Sequence, residues 1–248
     1  MKFKIIKQKK GQEHIEIVIA SVIFIGFLSI MFIFFSPFKS PKNEEITKTV
    51  QINLEEKLKT NLYSISLVAY SKDNTKSCLT LKETASIIED IHCNEPNNKI
   101  LVKKEDGTSI NSVKDSNSIT IEKGSSTFYT IYCNKDLTEK TTTLIDCEPL
   151  DKYSGYNLSI VSERDVWSTQ TLEKLRDDYK NDYETLKKDL MPQGIDFSFL
   201  VNDEVGTLLY SGDKDAPRGV NVYSEITPIE IMDKDAVIKQ GTITVVTW

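Results

Sequence analysis

The chain has 248 residues, of which 39% are hydrophobic and 27% charged, and a length of this order fits one or two domains. The composition, with 10 Gly and 7 Pro, excludes a collagen-like, coiled-coil or low-complexity protein. The 31 basic and 37 acidic side chains give a net charge of −6, and nothing in this balance indicates nucleic-acid binding.

Residues 17–35 form the most apolar segment of the chain. They comprise 19 residues without a charge, and as a helix they would span about 28 Å, close to the thickness of the hydrocarbon core of a bilayer. Pro37 and Pro41 follow and are expected to end the helix. The run is too long for the apolar part of a common secretory signal. We therefore predict a transmembrane helix over residues 12–36, with a buried core helix as the alternative.

The charges beside this run predict its orientation. Residues 1–12 contain five Lys and no acidic residue. The positive-inside rule places this end in the cytoplasm and residues 37–248 outside. We therefore expect a single-pass protein of the cell membrane with an extracellular C-terminal head.

The segment directly before the apolar run, residues 9–16, reads KKGQEHIE. Glu16 opens the apolar helix, and an acid inside the hydrocarbon costs about 2.5–3.5 kcal/mol, less near the interface. From the residues alone, Glu16 is either a boundary residue that reaches the headgroup water or an acid that has a partner in the membrane. Physical chemistry favours the boundary residue.

Residues 9–12, together with Glu16 and the apolar run, resemble the class III signal peptide of type IV prepilins. The resemblance is closest to the archaeal form of type IV pilin-like proteins, because the mature chain would begin with Gln rather than Phe. It implies that a membrane-embedded prepilin peptidase cuts after Gly11 on the cytoplasmic side. Residues 1–11 would be the leader, Gln12 the first mature residue, and Glu16 the acid that the family carries at its fifth position.

The resemblance also implies that Glu16 acts in assembly. Cleavage frees an α-amino group on Gln12 that is largely protonated at neutral pH. Glu16 of one subunit would pair with this cation on a neighbour and fix the stagger between helices. The implied partners are the membrane, the prepilin peptidase, other pilin subunits and the assembly platform. Pro37 and Pro41 interrupt the long helical rod that is common in the family, which favours a minor or pilin-like component over the bulk subunit.

Residues 37–61 are predicted to form a stem. Apolar residues recur there at every fourth position, which is the stripe of an amphipathic helix. They are Ile46, Val50, Leu54 and Leu58. A solvated charged linker is the alternative.

Residues 62–162 are predicted to form a β domain. Short segments of alternating or apolar residues indicate strands, and Asp106-Gly107 is a strong hairpin signal. The predicted strands lie at residues 65–69, 99–104, 119–121, 127–133 and 156–160. Short strands with polar turns indicate a small sandwich.

Residues 163–248 are predicted to form an α+β module. In residues 168–190 the apolar side chains are three or four positions apart, which predicts a helix that Ser168 or Thr169 caps and Pro192 ends. The predicted strands lie at residues 195–201, 220–223, 226–232 and 236–247. The expected fold class is thus α+β: an N-terminal transmembrane helix, then a mostly antiparallel, sandwich-like β head with an amphipathic helix near 168–190.

The four cysteines, Cys78, Cys93, Cys133 and Cys147, all fall in the predicted β domain, and four cysteines allow three pairings. Separations of 15 and 14 residues favour two local disulfides, Cys78–Cys93 and Cys133–Cys147, each worth about 3 kcal/mol. Free buried thiols are the alternative. A zinc site is less favoured because no CxxC occurs.

No pattern in the sequence indicates catalysis, a metal site or a cofactor. The chain has no P-loop, dinucleotide fingerprint or HExxH motif. It also has no G-x-S-x-G motif whose serine His14 or His92 could activate as a general base. The DxD pairs at residues 213–215 and 233–235 lack the Gly and Glu of a calcium loop, and we predict solvated turns there. Asn157 begins an Asn-Leu-Ser sequon and is a glycosylation candidate.

The sequence thus predicts a pilin-like structural or adhesive component of a type IV pilus-like surface system, cleaved after Gly11, and not an enzyme. The alternative is an uncleaved, signal-anchored envelope domain whose head binds a ligand or a partner protein. The two hypotheses differ at the mature N-terminus, which is Gln12 in the first and Met1 in the second.

Overall fold

The computed structural model describes residues 12–35, 41–190 and 195–248, and within these the side chains at 12–16, 29–35 and 41–44 are not described. The chain divides into two compact units, Met1–Lys42 and Asn43–Trp248. The described residues form five helices and fourteen strands. The helices are α1 (Gln12–Phe35), α2 (Pro41–Leu58), α3 (Ala85–Asp90), α4 (Thr169–Asn181) and α5 (Tyr183–Leu190).

Helix α1 has 24 residues, which gives a length of about 36 Å. The large apolar side chains described in it, at residues 17–28, are between 37% and 67% exposed. Among the residues whose side chains the structure describes, no helix is both long and apolar enough to cross a membrane.

The predicted interruption after the apolar run falls on residues 36–40, which lie outside the described residues. Helix α1 is described to Phe35, and α2 from Pro41. Proline suits the first position of a helix, because its missing N–H would have no intrahelical acceptor there and its φ is already helical.

Helix α2 packs its apolar stripe into the core of the second unit, so the predicted amphipathic helix is confirmed. Val50 and Leu54 are completely buried and Leu58 is 4% exposed. The hydroxyls of Thr47 and Thr247 form a buried hydrogen bond of 2.6 Å beside this stripe. Helix α2 therefore belongs to the folded head and is not a solvated linker.

Truncation of the stripe should destabilise the head. We expect Leu54→Ala to lower the free energy of unfolding by about 3 kcal/mol, because it removes buried methyl groups and leaves a cavity. Ile52, which is 46% exposed on the same helix, provides the control. Urea unfolding should show a change of less than about 1 kcal/mol for Ile52→Ala. Equal losses for the two variants would mean that α2 is not docked as described.

Strands form a ten-stranded and a four-stranded sheet. The larger contains β1 (Lys59–Ala69), β3 (Lys99–Lys104), β4 (Ser109–Ile110), β7 (Phe128–Asn134), β9 (Tyr156–Leu158), β10 (Ser162–Ser168), β11 (Phe197–Asp203), β12 (Leu208–Gly212), β13 (Tyr223–Met232) and β14 (Ile238–Thr247). The smaller contains β2 (Cys78–Lys82), β5 (Ser112–Lys114), β6 (Ser118–Glu122) and β8 (Glu148–Leu150).

The predicted α+β class with mostly antiparallel sheets is confirmed. The order in the larger sheet is β12-β11-β14-β13-β10-β1-β7-β3-β4, with β9 also beside β1, and in the smaller sheet β5-β6-β2-β8. Among the described strands, only β10 with β13 and β2 with β8 pair in parallel. Strand β3 coincides with the predicted strand at 99–104, and the following turn has Gly107 at φ 80°, as a hairpin at Asp-Gly requires.

Two main cores lie along the larger sheet. The first joins β1, β3 and β7 to β2 and β6 of the smaller sheet, with α3 packed at its side. The second lies between α2, α4, α5 and the strands β11, β13 and β14. Strand β1 follows α2 without a loop and pairs with β10 on one edge and with β7 on the other.

The helix predicted at 168–190 is two helices, α4 and α5. Ser168 caps α4, since its Oγ accepts a hydrogen bond of 3.0 Å from the N–H of Thr171. The break falls at Asp182, whose φ of −145° and ψ of 52° are not helical. The spacing of the apolar residues continues across the break, which is why the sequence predicts one helix.

The predicted cysteine pairing is wrong, although all four cysteines are in disulfides. The structure pairs Cys78 with Cys147 and Cys93 with Cys133, across 69 and 40 residues. The cause of the first is the parallel pairing of β2 with β8, which sets Leu79 opposite Glu148 and so brings the two preceding cysteines together. The number of residues between consecutive cysteines does not indicate a pairing that depends on two distant strands.

A polar cluster fixes the start of β11 against α5. The carboxylate of Asp196 accepts hydrogen bonds from Lys187 at 2.7 Å, from the hydroxyl of Tyr183 at 2.8 Å and from Lys214 at 3.3 Å. Burial opposes the charged carboxylate, but these three donors outweigh it and lower the pKa of Asp196 to about 2. Both backbone groups of Asp196 bond to Trp248, so the cluster also secures the end of the chain.

Acid should weaken this cluster. A carboxyl whose pKa is lower in the folded chain than in the unfolded chain stabilises the fold above its unfolded pKa, and the effect disappears as the pH falls through the folded pKa. For Asp196 the window runs from about pH 4 down to about pH 2, and the stabilisation is about 2 kcal/mol. Urea unfolding of wild type and Asp196→Asn should differ at pH 7 and converge below about pH 2. A constant difference across the window would show that the charge of Asp196 does not stabilise the fold.

Candidate functional site

The site residues predicted at the N-terminus lie at the margin of the described chain. Gly11 is outside the described residues. Gln12 and Glu16 lie in the first two turns of α1 by their backbone, and their side chains are not described. The candidate site that can be built from described side chains is therefore in the head.

Strands β9 and β10 lie along the same edge of β1 with a bulge between them. Leu67 faces Leu158, whereas Ser64 faces Ser162, so the β9–β10 side has one extra residue. At the bulge, the N–H of Ser66 donates to the hydroxyl of Ser159 at 3.0 Å instead of to a backbone carbonyl. The bulge turns Ile160 outward, where it is 92% exposed.

The glycosylation candidate Asn157 lies next to this bulge. It is exposed on the outer face of β9, opposite Val68 of β1, and its Nδ2 donates to the hydroxyl of Tyr70 at 3.4 Å. Its position leaves the amide accessible for modification.

A hollow of about 520 Å³ lies on the outer face of the larger sheet beside Asn157; we call it the outer hollow. Its side chains come from β1, β7, the β9 bulge and Glu105 in the turn after β3, and those on the strands alternate with residues of the first core. They include Ser66, Val68, Phe128, Thr130, Asn157 and Ser159. Phe128 is 52% exposed, and neighbouring Tyr70 is 46% exposed. Phe128 is held at the start of β7 because the Ser126 hydroxyl bonds to both its N–H and its carbonyl, each at 3.0 Å.

A second hollow, of about 450 Å³, lies between β9, the bulge and α3; we call it the edge hollow. Tyr153 at its rim is 79% exposed and has a φ of 67°, which is rare for a bulky residue. The N–H of Tyr153 donates to the carbonyl of Tyr156 at 2.9 Å, which closes the tight turn. Lys152 places its ammonium 5.4 Å from the centre of the Tyr153 ring.

Both hollows lie at the end of β1 that is farther from α2. The chain enters β1 directly from α2 at Lys59, and the hollows adjoin residues 65–68 in the second half of the strand. Six to nine residues of strand span about 20–30 Å. This part of the head is therefore well separated from the junction with α2.

Among the described residues, no group of three or more His, Cys, Asp and Glu side chains is arranged to hold a metal ion. The ring of His92 lies against that of Tyr63, with centres 4.6 Å apart and planes tilted by 33°, and its Nδ1 is 3.7 Å from Glu95. The pair at 233–235 lies in the turn between β13 and β14, as predicted. There the carboxylate of Asp233 accepts hydrogen bonds from two backbone N–H groups at 2.9 Å.

Sequence reasoning found Asn157 but missed the hollows around it. The only signal in the sequence is the alternation at 64–70, where Ser64, Ser66 and Val68 separate the apolar core residues. That alternation predicts an exposed face but not the strands that lie beside it.

Comparison with known proteins does not assign the chain to a family. No protein-family model, no curated protein and no solved structure matches it.

Proposed function

We propose that the protein is a membrane-anchored, type IV pilin-like component of a surface system, with a structural or adhesive role. The observation that carries the proposal is the order of parts. An uncharged apolar run stands behind a Lys-Lys-Gly-Gln sequence and Glu16, Pro37 and Pro41 follow it in the sequence, and an amphipathic helix is docked on an antiparallel head. The prepilin peptidase would cut after Gly11, and Gln12 would begin the mature chain.

In this proposal α1 is the membrane segment and the head is outside the cell. The 24-residue length of α1 and the uncharged sequence of residues 17–35 suit the hydrocarbon core of a bilayer. The two disulfides suit an oxidising compartment, because thiols are kept reduced in most cytosols. Other pilin subunits and the assembly platform would contact α1, where Glu16 pairs with the amine of Gln12 on a neighbour.

The adhesive part of the role would belong to the far end of β1. Exposed aromatic side chains beside concave surfaces are typical of binding sites, and Tyr70 and Phe128 have this setting. The same head on an uncleaved anchor would make an envelope-bound receptor, which is the second candidate function.

The mature mass separates the two candidates. We expect mass spectrometry of the membrane-extracted protein to show a chain that begins at Gln12. The leader is a recognition sequence for the peptidase and is removed once the chain is inserted. A chain that retains Met1 would overturn the pilin-like proposal and support the uncleaved anchor.

A further inference from the structure

We propose that the outer hollow is a binding site for a neutral saccharide. A pyranose ring presents C–H groups on its faces and hydroxyls around its edge, so its receptor needs an apolar surface next to neutral hydrogen-bonding groups. The outer hollow has both, side by side on one face of the sheet.

The apolar half of the site is built from Phe128 and Val68, with Tyr70 beside the hollow. Val68 of β1 lies opposite Phe128 of β7, and Tyr70 follows the end of β1 with its hydroxyl 3.4 Å from Nδ2 of Asn157. The rings of Phe128 and Tyr70 are about half exposed although the strands beneath them are well packed. Aromatic rings held in this way offer a rigid apolar contact at a low entropic cost.

The polar half is built from Ser66, Thr130, Ser159 and Asn157. Ser66 lies opposite Thr130, and their hydroxyls are 3.4 Å apart. Asn157 is also 3.4 Å from its acceptor, the hydroxyl of Tyr70. These contacts are at the long end of hydrogen bonding, so sugar hydroxyls can replace them at little cost.

The charge of the hollow favours a neutral ligand. Among the described residues that line it, the one ionised side chain is Glu105, which accepts hydrogen bonds from sugar hydroxyls but repels an anion. These described residues include no Lys or Arg to hold a phosphate, a sulfate or an acidic sugar.

An added peptide strand is a poorer occupant of this edge of the sheet. The outer edge of β9 and β10 is interrupted by the bulge at Ser159, and Glu163, Arg164 and Asp165 follow along β10. Bulges and charged side chains on an edge strand oppose the pairing of a further strand. The concave outer face is thus the surface that remains for a small ligand.

The test uses the full chain in a polyoxyethylene detergent, because glucoside and maltoside detergents carry saccharide headgroups. The probes are maltose, cellobiose, chitobiose and mannobiose, with sialyllactose as an acidic comparator. Titration calorimetry and saturation-transfer NMR should show binding of at least one neutral probe, with a Kd below about 10 mM, and tighter than that of sialyllactose. Failure of all four neutral probes, or a preference for sialyllactose, would overturn the proposal.

Variants then locate the site. Phe128→Ala should weaken binding of that probe about tenfold, because it removes the apolar platform. Thr130→Val keeps the shape of the side chain but removes its hydroxyl, and should weaken binding severalfold. Tyr153→Ala removes a more exposed ring from the edge hollow and should leave the affinity within about twofold. Loss with Tyr153→Ala, or unchanged affinity with Phe128→Ala, would place the site elsewhere. The outer hollow lies wholly in the head, so these results do not depend on cleavage after Gly11.

Discussion

Removal of either disulfide is expected to lower the free energy of unfolding of the head by about 4 kcal/mol. Cys78–Cys147 and Cys93–Cys133 close segments of 69 and 40 residues, and a cross-link of this span removes much conformational freedom from the unfolded chain. The loss should be slightly larger for the longer loop. Urea unfolding of Cys78→Ser/Cys147→Ser and Cys93→Ser/Cys133→Ser, followed by Trp fluorescence, measures both effects.

The controls for this prediction address the pairing itself. Peptide mapping without reduction should recover the 78–147 and 93–133 peptides, and recovery of 78–93 and 133–147 peptides would contradict the structure. A reductant should destabilise the wild type, whereas a variant that lacks all four cysteines should not respond. An equally stable reduced wild type would show that the cross-links do not restrict the unfolded chain.

The parts of the fold that the sequence predicted correctly are those specified by nearby residues. The stripe of α2 repeats every fourth residue, and Asp106-Gly107 closes a hairpin between adjacent strands. Each signal lies within a few residues of the structure that it specifies, so a single sequence is enough to detect it.

The parts that the sequence could not predict depend on pairings over long distances in the chain. The disulfides follow from β2 lying beside β8, which is nearly 70 residues away along the sequence. The outer hollow needs β7 and β9 on opposite edges of β1, and it also needs a bulge of one residue at Ser159. The pairing of strands that are far apart in the sequence produces no periodic pattern of residues. In the sequence, the residues of the outer hollow therefore resemble ordinary exposed strand positions.

The second large effect is expected at Glu16. If Glu16 pairs with the amine of Gln12 on a neighbouring subunit, Glu16→Ala should leave membrane insertion and cleavage intact and strongly reduce incorporation into filaments or complexes. The expected cost is about 1–3 kcal/mol for each subunit contact, because the lost pair is partly offset by relief of the buried acid. That corresponds to about a fivefold to 150-fold loss from the sheared surface fraction relative to the membrane fraction.

The matched variant for this test is Gly11→Val, which acts one step earlier. A side chain at residue 11 would crowd the peptidase site, so the precursor should remain about 11 residues longer and its Gln12 amine should never be released. Both variants should then fail in assembly, but only Gly11→Val should retain the leader. If Glu16 is instead a boundary residue, Glu16→Ala should leave incorporation into filaments or complexes unchanged or slightly increase it. Removal of an acid from an apolar helix is harmless or slightly favourable. Equal partition of wild type and Glu16→Ala, with cleavage intact in both, would therefore assign Glu16 to the membrane boundary.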